Sequence, residues 1–109
     1  MALFDKIFCV RDALLEVGVD VGHYESSGSS DKYIVWAEDS EGNTLDGDNK
    51  KQIKVIQGTV DYFTKEDEDP NVSKIENALD AAKIPYYLNS VQYEDETGYI
   101  HFEWVWSVS

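Results

Sequence analysis

Apolar residues recur every three or four positions over residues 2–17, which predicts an amphipathic helix at the start of the chain. Gly18 can adopt the left-handed conformation that ends a helix. The Gly- and Ser-rich residues 22–30 have little to bury and predict a mobile loop. The apolar stripe of the helix consists of Leu3, Ile7, Val10, Leu14 and Val17, widened by Phe4 and Phe8.

Two stretches rich in β-branched and aromatic residues predict strands over residues 32–38 and 51–64. The polar residues 39–50 between them are too numerous for a tight hairpin and predict an exposed connection. Gly58, inside the second stretch, predicts either a β-bulge or a close approach between backbones.

A second helix is predicted after the acidic residues 65–69. Asp69 suits its cap, and Pro70 suits the first helical position, where the missing N–H does no harm. The helical repeat ends before Pro85 and consists of Val72, Ile75, Leu79 and Ala82.

The chain closes with two predicted strands, residues 86–93 and 99–108, joined by a short turn over residues 94–98. Alternation predicts two faces for the last strand. One face carries Ile100, Phe102, Trp104, Trp106 and Val108, and the other carries Tyr99, His101, Glu103, Val105 and Ser107. The order α-β-β-α-β-β predicts an α+β two-layer sandwich, with two helices on one face of a mainly antiparallel four-stranded sheet.

The 109 residues fit a single domain, residues 1–109, and the net charge is −13. So acidic a chain is a poor ligand for nucleic acid or for anionic membrane surfaces. The first residues lack the basic and apolar regions of a secretory signal, and no apolar run is long enough to span a bilayer, so we expect synthesis in the cytoplasm.

Candidate chemistry is sparse. Cys9 lies in the apolar helical pattern, which predicts a buried thiol rather than a nucleophile. His23 and His101 are predicted in a loop and on a polar strand face, too few to build a zinc site or to activate a serine. Residues 39–50 place lysine where a calcium loop needs glutamate. We therefore expect no metal, no cofactor and no enzymatic activity.

Aromatic residues make up 13% of the chain. Two helices can cover only part of a four-stranded sheet, so we expect tyrosines on the far face of the sheet to be exposed unless another subunit covers them. Together with the polar and acidic loops, these tyrosines predict an interface. The candidates are Asp46, Asp48, Asn49, Lys50, Glu66, Asp67, Glu68, Tyr87, Tyr93 and Tyr99.

The segments DKYIVWAEDSEGNTLDGDNK, KQIKVIQGTVDYFTKEDEDPNVSKIENAL and YEDETGYIHFEWVWSV, in this order after a short helix and a Ser/Gly loop, resemble tail-terminator or tail-completion proteins of long-tailed bacteriophages and prophages. The resemblance spans nearly the whole chain. It implies the same α+β fold, no catalytic residues, and a place in the virion at the head–tail junction.

The resemblance also implies what the protein assembles with. Its partners would be further copies of itself, typically in a ring of six, together with the tail tube protein and the head–tail connector. The ring would cap the tube and end tail polymerisation. The acidic loops of residues 43–50 and 66–69 could line its channel and repel DNA. Two alternatives stay open: a head–tail joining or stopper protein, and an acidic DNA mimic that inhibits a DNA-binding host enzyme.

Overall fold

The computed structural model describes residues 3–26, 28, 30–41 and 55–109. The five strands form one sheet in the order β1-β2-β3-β5-β4, in which β1 runs parallel to β2 and all other neighbours are antiparallel. The α+β class is confirmed. The elements are α1 (Leu3–Leu15), β1 (Asp20–His23), β2 (Tyr33–Glu41), β3 (Ile56–Thr64), α2 (Asn71–Ala81), β4 (Tyr86–Glu94) and β5 (Tyr99–Val108).

The prediction of a four-stranded antiparallel sheet is wrong, because β1 adds a fifth, parallel strand. β1 overlaps the predicted loop over residues 22–30 and contains His23. Its pairing with β2 sets Val21 opposite Ile34. Such a short strand is held by tertiary pairing rather than by a local pattern. The predicted connection and strand beginning over residues 42–54 lie outside the described residues, and β3 is assigned from Ile56.

Helices and sheet meet in a single core in which three tryptophans are almost fully buried. Trp104 and Trp106 lie on the same face of β5, as predicted, opposite Val60 and Gly58 of β3, and the structure shows that this is the core face. The other fully buried apolar side chains of the core are Ile7, Val10 and Leu14 of α1, Ile75 and Leu79 of α2, and Ile34, Trp36, Val60 and Tyr62 of the sheet.

Gly58 is required by close approach, not by a bulge in its own strand. A Cβ atom at this position would lie 2.0 Å from the carbonyl oxygen of Ala37 and 2.5 Å from the indole of Trp106. The bulge lies in the neighbouring strand β2, where the register shifts between Glu38 and Ser40. Of the two alternatives that the sequence left open, the backbone approach is therefore the correct one.

The two helices end differently. Gly18 follows α1 with a φ of 93°, the left-handed conformation predicted for it. After α2, the N–H groups of Lys83 and Ile84 donate to Asp80 O and Leu79 O, each at 3.0 Å, and Lys83 has a φ of 59°. This is a Schellman cap built on lysine instead of glycine. α2 thus ends before Pro85 is reached.

Candidate assembly surfaces

The edge strand β4 carries a row of exposed apolar side chains. A register shift between Leu88 and Ser90 places Leu88 opposite Trp104 and Val91 opposite Phe102. Because those partners point to the core face, Leu88, Val91 and Tyr93 share that face, and they are 47%, 51% and 65% exposed. We call these three residues the β4 stripe. Simple alternation would have put Leu88 and Val91 on opposite faces, so the sequence did not reveal the stripe.

Among the described residues, no further strand pairs with the outer edge of β4. Sheets commonly guard an edge strand with charged side chains or proline. The eight residues 86–93 contain neither, in a chain of which 28% of residues are charged. Residues 86–93 therefore offer an uncharged stretch of strand edge next to an apolar stripe, although β4 ends at the charged Glu94 and its register shifts between Leu88 and Ser90.

The first helix carries a second exposed apolar row, distinct from its core stripe. Phe4, Phe8 and Leu15 lie four and seven residues apart, so they share one helical face. Phe4 and Leu15 are 57% and 56% exposed, while Phe8 is half-buried and its ring lies 5.9 Å from that of Phe4. Arg11 lies over the Phe8 ring at 4.2 Å. We call Phe4, Phe8 and Leu15 the α1 stripe. The sequence pattern places Phe4 and Phe8 on the same apolar stripe as Ile7 and Val10, whereas the structure leaves Phe4 exposed.

An aromatic cluster occupies the face of the sheet that the helices leave open. Phe63 stacks on Tyr33 at 4.7 Å and on His101 at 4.2 Å, and Tyr99 meets Phe63 edge-on at 6.3 Å. His101 Nε2 lies 2.7 Å from Asp61 Oδ1. Desolvation by burial raises the pKa of Asp61. These side chains are half-buried because they pack on one another, so this part of the far face is partly covered without a second subunit.

The turn before α2 is held by one buried carboxylate. Asp69 Oδ2 accepts hydrogen bonds from Tyr62 Oη and Thr64 Oγ1, both at 2.7 Å, and Asp69 Oδ1 accepts the N–H of Asn71 at 2.8 Å. Lys32 Nζ lies 3.5 Å from Asp69. Asp69 therefore binds the first N–H of α2, but Pro70 occupies the N-cap position and the helix begins at Asn71, so the predicted placement of Asp69 at the cap and Pro70 at the first helical position is one residue off.

Electrostatics in this turn follow from its hydrogen bonds. Burial by itself would raise the pKa of Asp69, but the donors from Asn71, Thr64 and Tyr62 outweigh it and lower the pKa below its usual value. Burial, together with the Asp69 carboxylate, raises the pKa of Tyr62 to about 12. Asp69 thus stays ionised and Tyr62 stays protonated at neutral pH, which is the state that the hydrogen bonds require.

The predicted interface residues are placed in three separate regions. Glu66, Asp67 and Glu68 are exposed at the tip of the turn, where Glu66 pairs with Lys32. Tyr87 and Tyr93 are exposed on β4, on opposite faces of the sheet, whereas Tyr99 is half-buried in the aromatic cluster. The remaining candidates, Asp46, Asp48, Asn49 and Lys50, lie outside the described residues.

Cys9 is exposed, and the prediction of a buried thiol is wrong. Its side chain lies beside the core stripe of α1, between Ile7 and Val10, where helical geometry turns it outward. Cys9 Sγ donates to Lys6 O at 2.9 Å. Partial burial raises the pKa of the thiol, the opposite of what a nucleophilic cysteine needs.

Both histidines are engaged by carboxylates. His23 Nε2 lies 2.8 Å from Glu38 Oε1, and its ring stacks on Trp36 at 4.0 Å.

Within the described part of the chain, no group of three or more His, Cys, Asp or Glu side chains is arranged to hold a metal ion. Neither α1 nor α2, the helices among the described residues, combines the length and apolar character needed to cross a membrane.

Comparison with known proteins identifies a fold. No family model matches the chain, and no curated protein matches it. Among solved structures, the virion of a native gene transfer agent (GTA) particle contains a chain of similar fold, with a TM-score of 0.56 and 12% identity. The similarity covers 98% of this chain and 92% of that chain. The fold of the whole domain is thus shared with a virion component.

Proposed function

We propose that this protein is a structural component of a phage or gene transfer agent virion that caps the tail tube, ends tail polymerisation and forms part of the head–tail junction. The observation that carries the proposal is the fold match to a virion chain over nearly the full length of both chains. The order of elements and turn sequences that resembles tail terminators points the same way. The proposal assigns the protein no catalytic role.

The exposed surfaces support an assembly role. A small domain that works by docking needs apolar surface left uncovered by its own fold. The β4 stripe and the α1 stripe provide two such surfaces. A subunit with two different contact surfaces can form a closed ring with its copies, and the many weak contacts of a ring reinforce one another.

The acidic turn supports a position beside DNA. Glu66, Asp67 and Glu68 project into solvent, so in a ring they could line the channel and let DNA pass without binding. Asp69 is buried and cannot contribute to such a lining. Replacing Glu66, Asp67 and Glu68 with lysine should slow DNA ejection while particles still assemble. Ejection at the normal rate would contradict this part of the proposal.

Deletion of the gene from its replicon tests the proposed role. A terminator is needed to stop tail growth, so electron microscopy of the deletion lysate should show overlong tails or tails without heads. Tails of normal length that fail to join heads would favour the joining or stopper role instead. Normal tails joined to heads would overturn the whole proposal. The control is complementation with the intact gene, which should then leave tails and heads unchanged.

A further inference from the structure

We propose that the open face of the sheet carries a binding site for an arginine side chain of a partner protein. The site is a cavity of about 360 Å³ beside the aromatic cluster. Residues 24–26, which follow β1, contribute one part of its lining. Strands β2, β3 and β5 contribute the rest, through Tyr33, Val35, Asp61, Phe63 and His101.

The charges at this cavity select a cation. Glu25 and Asp61 line it, and no lysine or arginine is among the described residues that do so. Glu103 lies opposite Asp61 in the ladder between β3 and β5. Burial raises the pKa of Asp61 and the charge of Glu103 raises it further, so this carboxylate gains from a cation nearby. Even with His101 protonated, the lining has more negative than positive charge, and an anion would be repelled.

The rings suit a cation that is carried on an apolar stem. Arginine and lysine lay their methylene groups on apolar surface while the charged end reaches a polar partner. Tyr33 and Phe63 provide such a surface close to Asp61. The aromatic cluster already contacts one cation of this chain, because Lys65 Nζ lies 4.9 Å from the centre of the Tyr99 ring.

A guanidinium group suits this cavity better than an ammonium group. It is planar, it is more weakly hydrated, it packs flat on aromatic rings, and its several N–H groups can donate to a carboxylate in pairs. The chain itself has one arginine, Arg11, which pairs with Asp12 at 3.0 Å and lies over the Phe8 ring. We therefore expect the arginine to come from a different protein and not from another copy of this chain.

The backbone beside the cavity is strained. Tyr24 has a φ of 72°, in the left-handed region that a bulky side chain seldom adopts. Its N–H donates to Trp36 O at 2.9 Å and its hydroxyl donates to Glu38, so the residue is held in this conformation from two sides. Strained residues that are fixed in this way cluster at binding sites. The strain at Tyr24 directly precedes Glu25, the exposed carboxylate of the cavity.

The test is a titration of the isotope-labelled full chain with Nα-acetyl-arginine amide, followed by amide chemical shifts at constant ionic strength. Nα-acetyl-citrulline amide has nearly the same shape without the charge and is the matched control. We expect the arginine probe to shift the amides of residues 33–35 and 61–63 with a dissociation constant of about 10 mM, and the citrulline probe to leave them in place. Equal shifts with both probes, or no shift up to about 50 mM of the arginine probe, would overturn the proposal.

Two variants locate the bound probe. Asp61→Asn and Glu25→Gln each remove one carboxylate of the cavity and should weaken binding of the arginine probe about threefold or more. Asp67→Asn makes the same exchange in the exposed turn outside the cavity and should bind like the wild type. Thermal unfolding checks each fold. Because Glu25 is exposed, Glu25→Gln remains a test even if Asp61→Asn, which loses its charge pair with His101, does not fold. Wild-type binding by either folded cavity variant would contradict the site.

Free arginine separates a partner's side chain from a small metabolite. The capped residue has the peptide groups of a protein and should bind at least as tightly as free arginine. Free arginine that binds more than about tenfold more tightly would identify a small molecule as the ligand and overturn the assignment to a partner protein. The site goes beyond the proposed function, because the titration reports on the cavity alone and its result stands whether or not deletion of the gene disturbs tails.

Discussion

Replacement of Gly58 by alanine should destabilise the domain more than the same replacement at Gly18, Gly28 or Gly98. The added Cβ would lie 2.0 Å from Ala37 O, 2.5 Å from the Trp106 ring and 2.8 Å from Glu38 Cα. Two of these three atoms belong to the backbone of β2, so rotation of a side chain cannot relieve the contact. Trp106 is fully buried and its Nε1 donates to Thr59 O at 2.9 Å, so the indole is also fixed.

The cost follows from the displacement that is needed. Reaching the roughly 3.3 Å of a weak C–H···O contact requires β2 and β3 to separate by more than about 1 Å. Overpacking of a core costs about 1–3 kcal/mol, and each ladder hydrogen bond that weakens adds about 1 kcal/mol, so we expect a loss of about 3–5 kcal/mol. That is a large fraction of the roughly 5–15 kcal/mol that stabilises a typical domain.

Urea and thermal unfolding followed by tryptophan fluorescence would measure this loss. A drop of 3 kcal/mol lowers Tm by about 12 °C or more in a domain of this size. Gly18→Ala is the matched control, because a Cβ there has nothing within 4 Å and meets only the strain of a φ of 93°, about 1–2 kcal/mol. The reasoning would be refuted if Gly58→Ala were as stable as Gly18→Ala or more so.

Three further predictions use other features of the fold. Asp69→Ala should cost about 3 kcal/mol in urea unfolding by leaving buried donors unpaired. Because the pKa of Asp69 is lower in the folded than in the unfolded protein, its contribution to stability is present above about pH 4, the usual unfolded value, and is lost as the pH falls below it. Asp69→Asn should therefore make the free energy of unfolding less dependent on pH in the acidic range. An unchanged pH dependence would contradict the role given to the hydrogen bonds of Asp69. Lys83→Gly should raise stability by about 1 kcal/mol by relieving the left-handed backbone, and a loss would contradict the assigned cap. Cys9 should react completely with a thiol reagent in the folded protein, faster as the pH rises; protection until unfolding would contradict its exposure.

Much of the fold was predictable because it rests on local pattern. Helical spacing located both helices, and alternation in β5 placed Trp104 and Trp106 on the same face. Asp69 and Pro70 marked the start of the second helix. Each of these signals lies within a few residues of the structure that it specifies.

What the sequence did not reveal depends on contacts between distant segments. β1 is a short strand that exists through pairing with β2. The register shift at residues 88–90 is set by pairing with β5, and it moves Val91 onto the face of Leu88. His101 and Asp61 are 40 residues apart in sequence, and nothing local to either predicts their contact. Of the residues in the two stripes, the sequence predicted only Tyr93 as an interface residue, because exposure of Phe4 and Val91 is decided by where the helices stop covering the sheet.

We propose that this protein belongs to the virion, at the junction between tail and head. Immunogold labelling of purified particles with an antibody against the chain measures this directly, with particles from the deletion strain as the control for specificity. The account predicts gold at the head-proximal end of the tail and on that end of free tails. Absence of the chain from purified particles, or label confined to the distal tip, would contradict it.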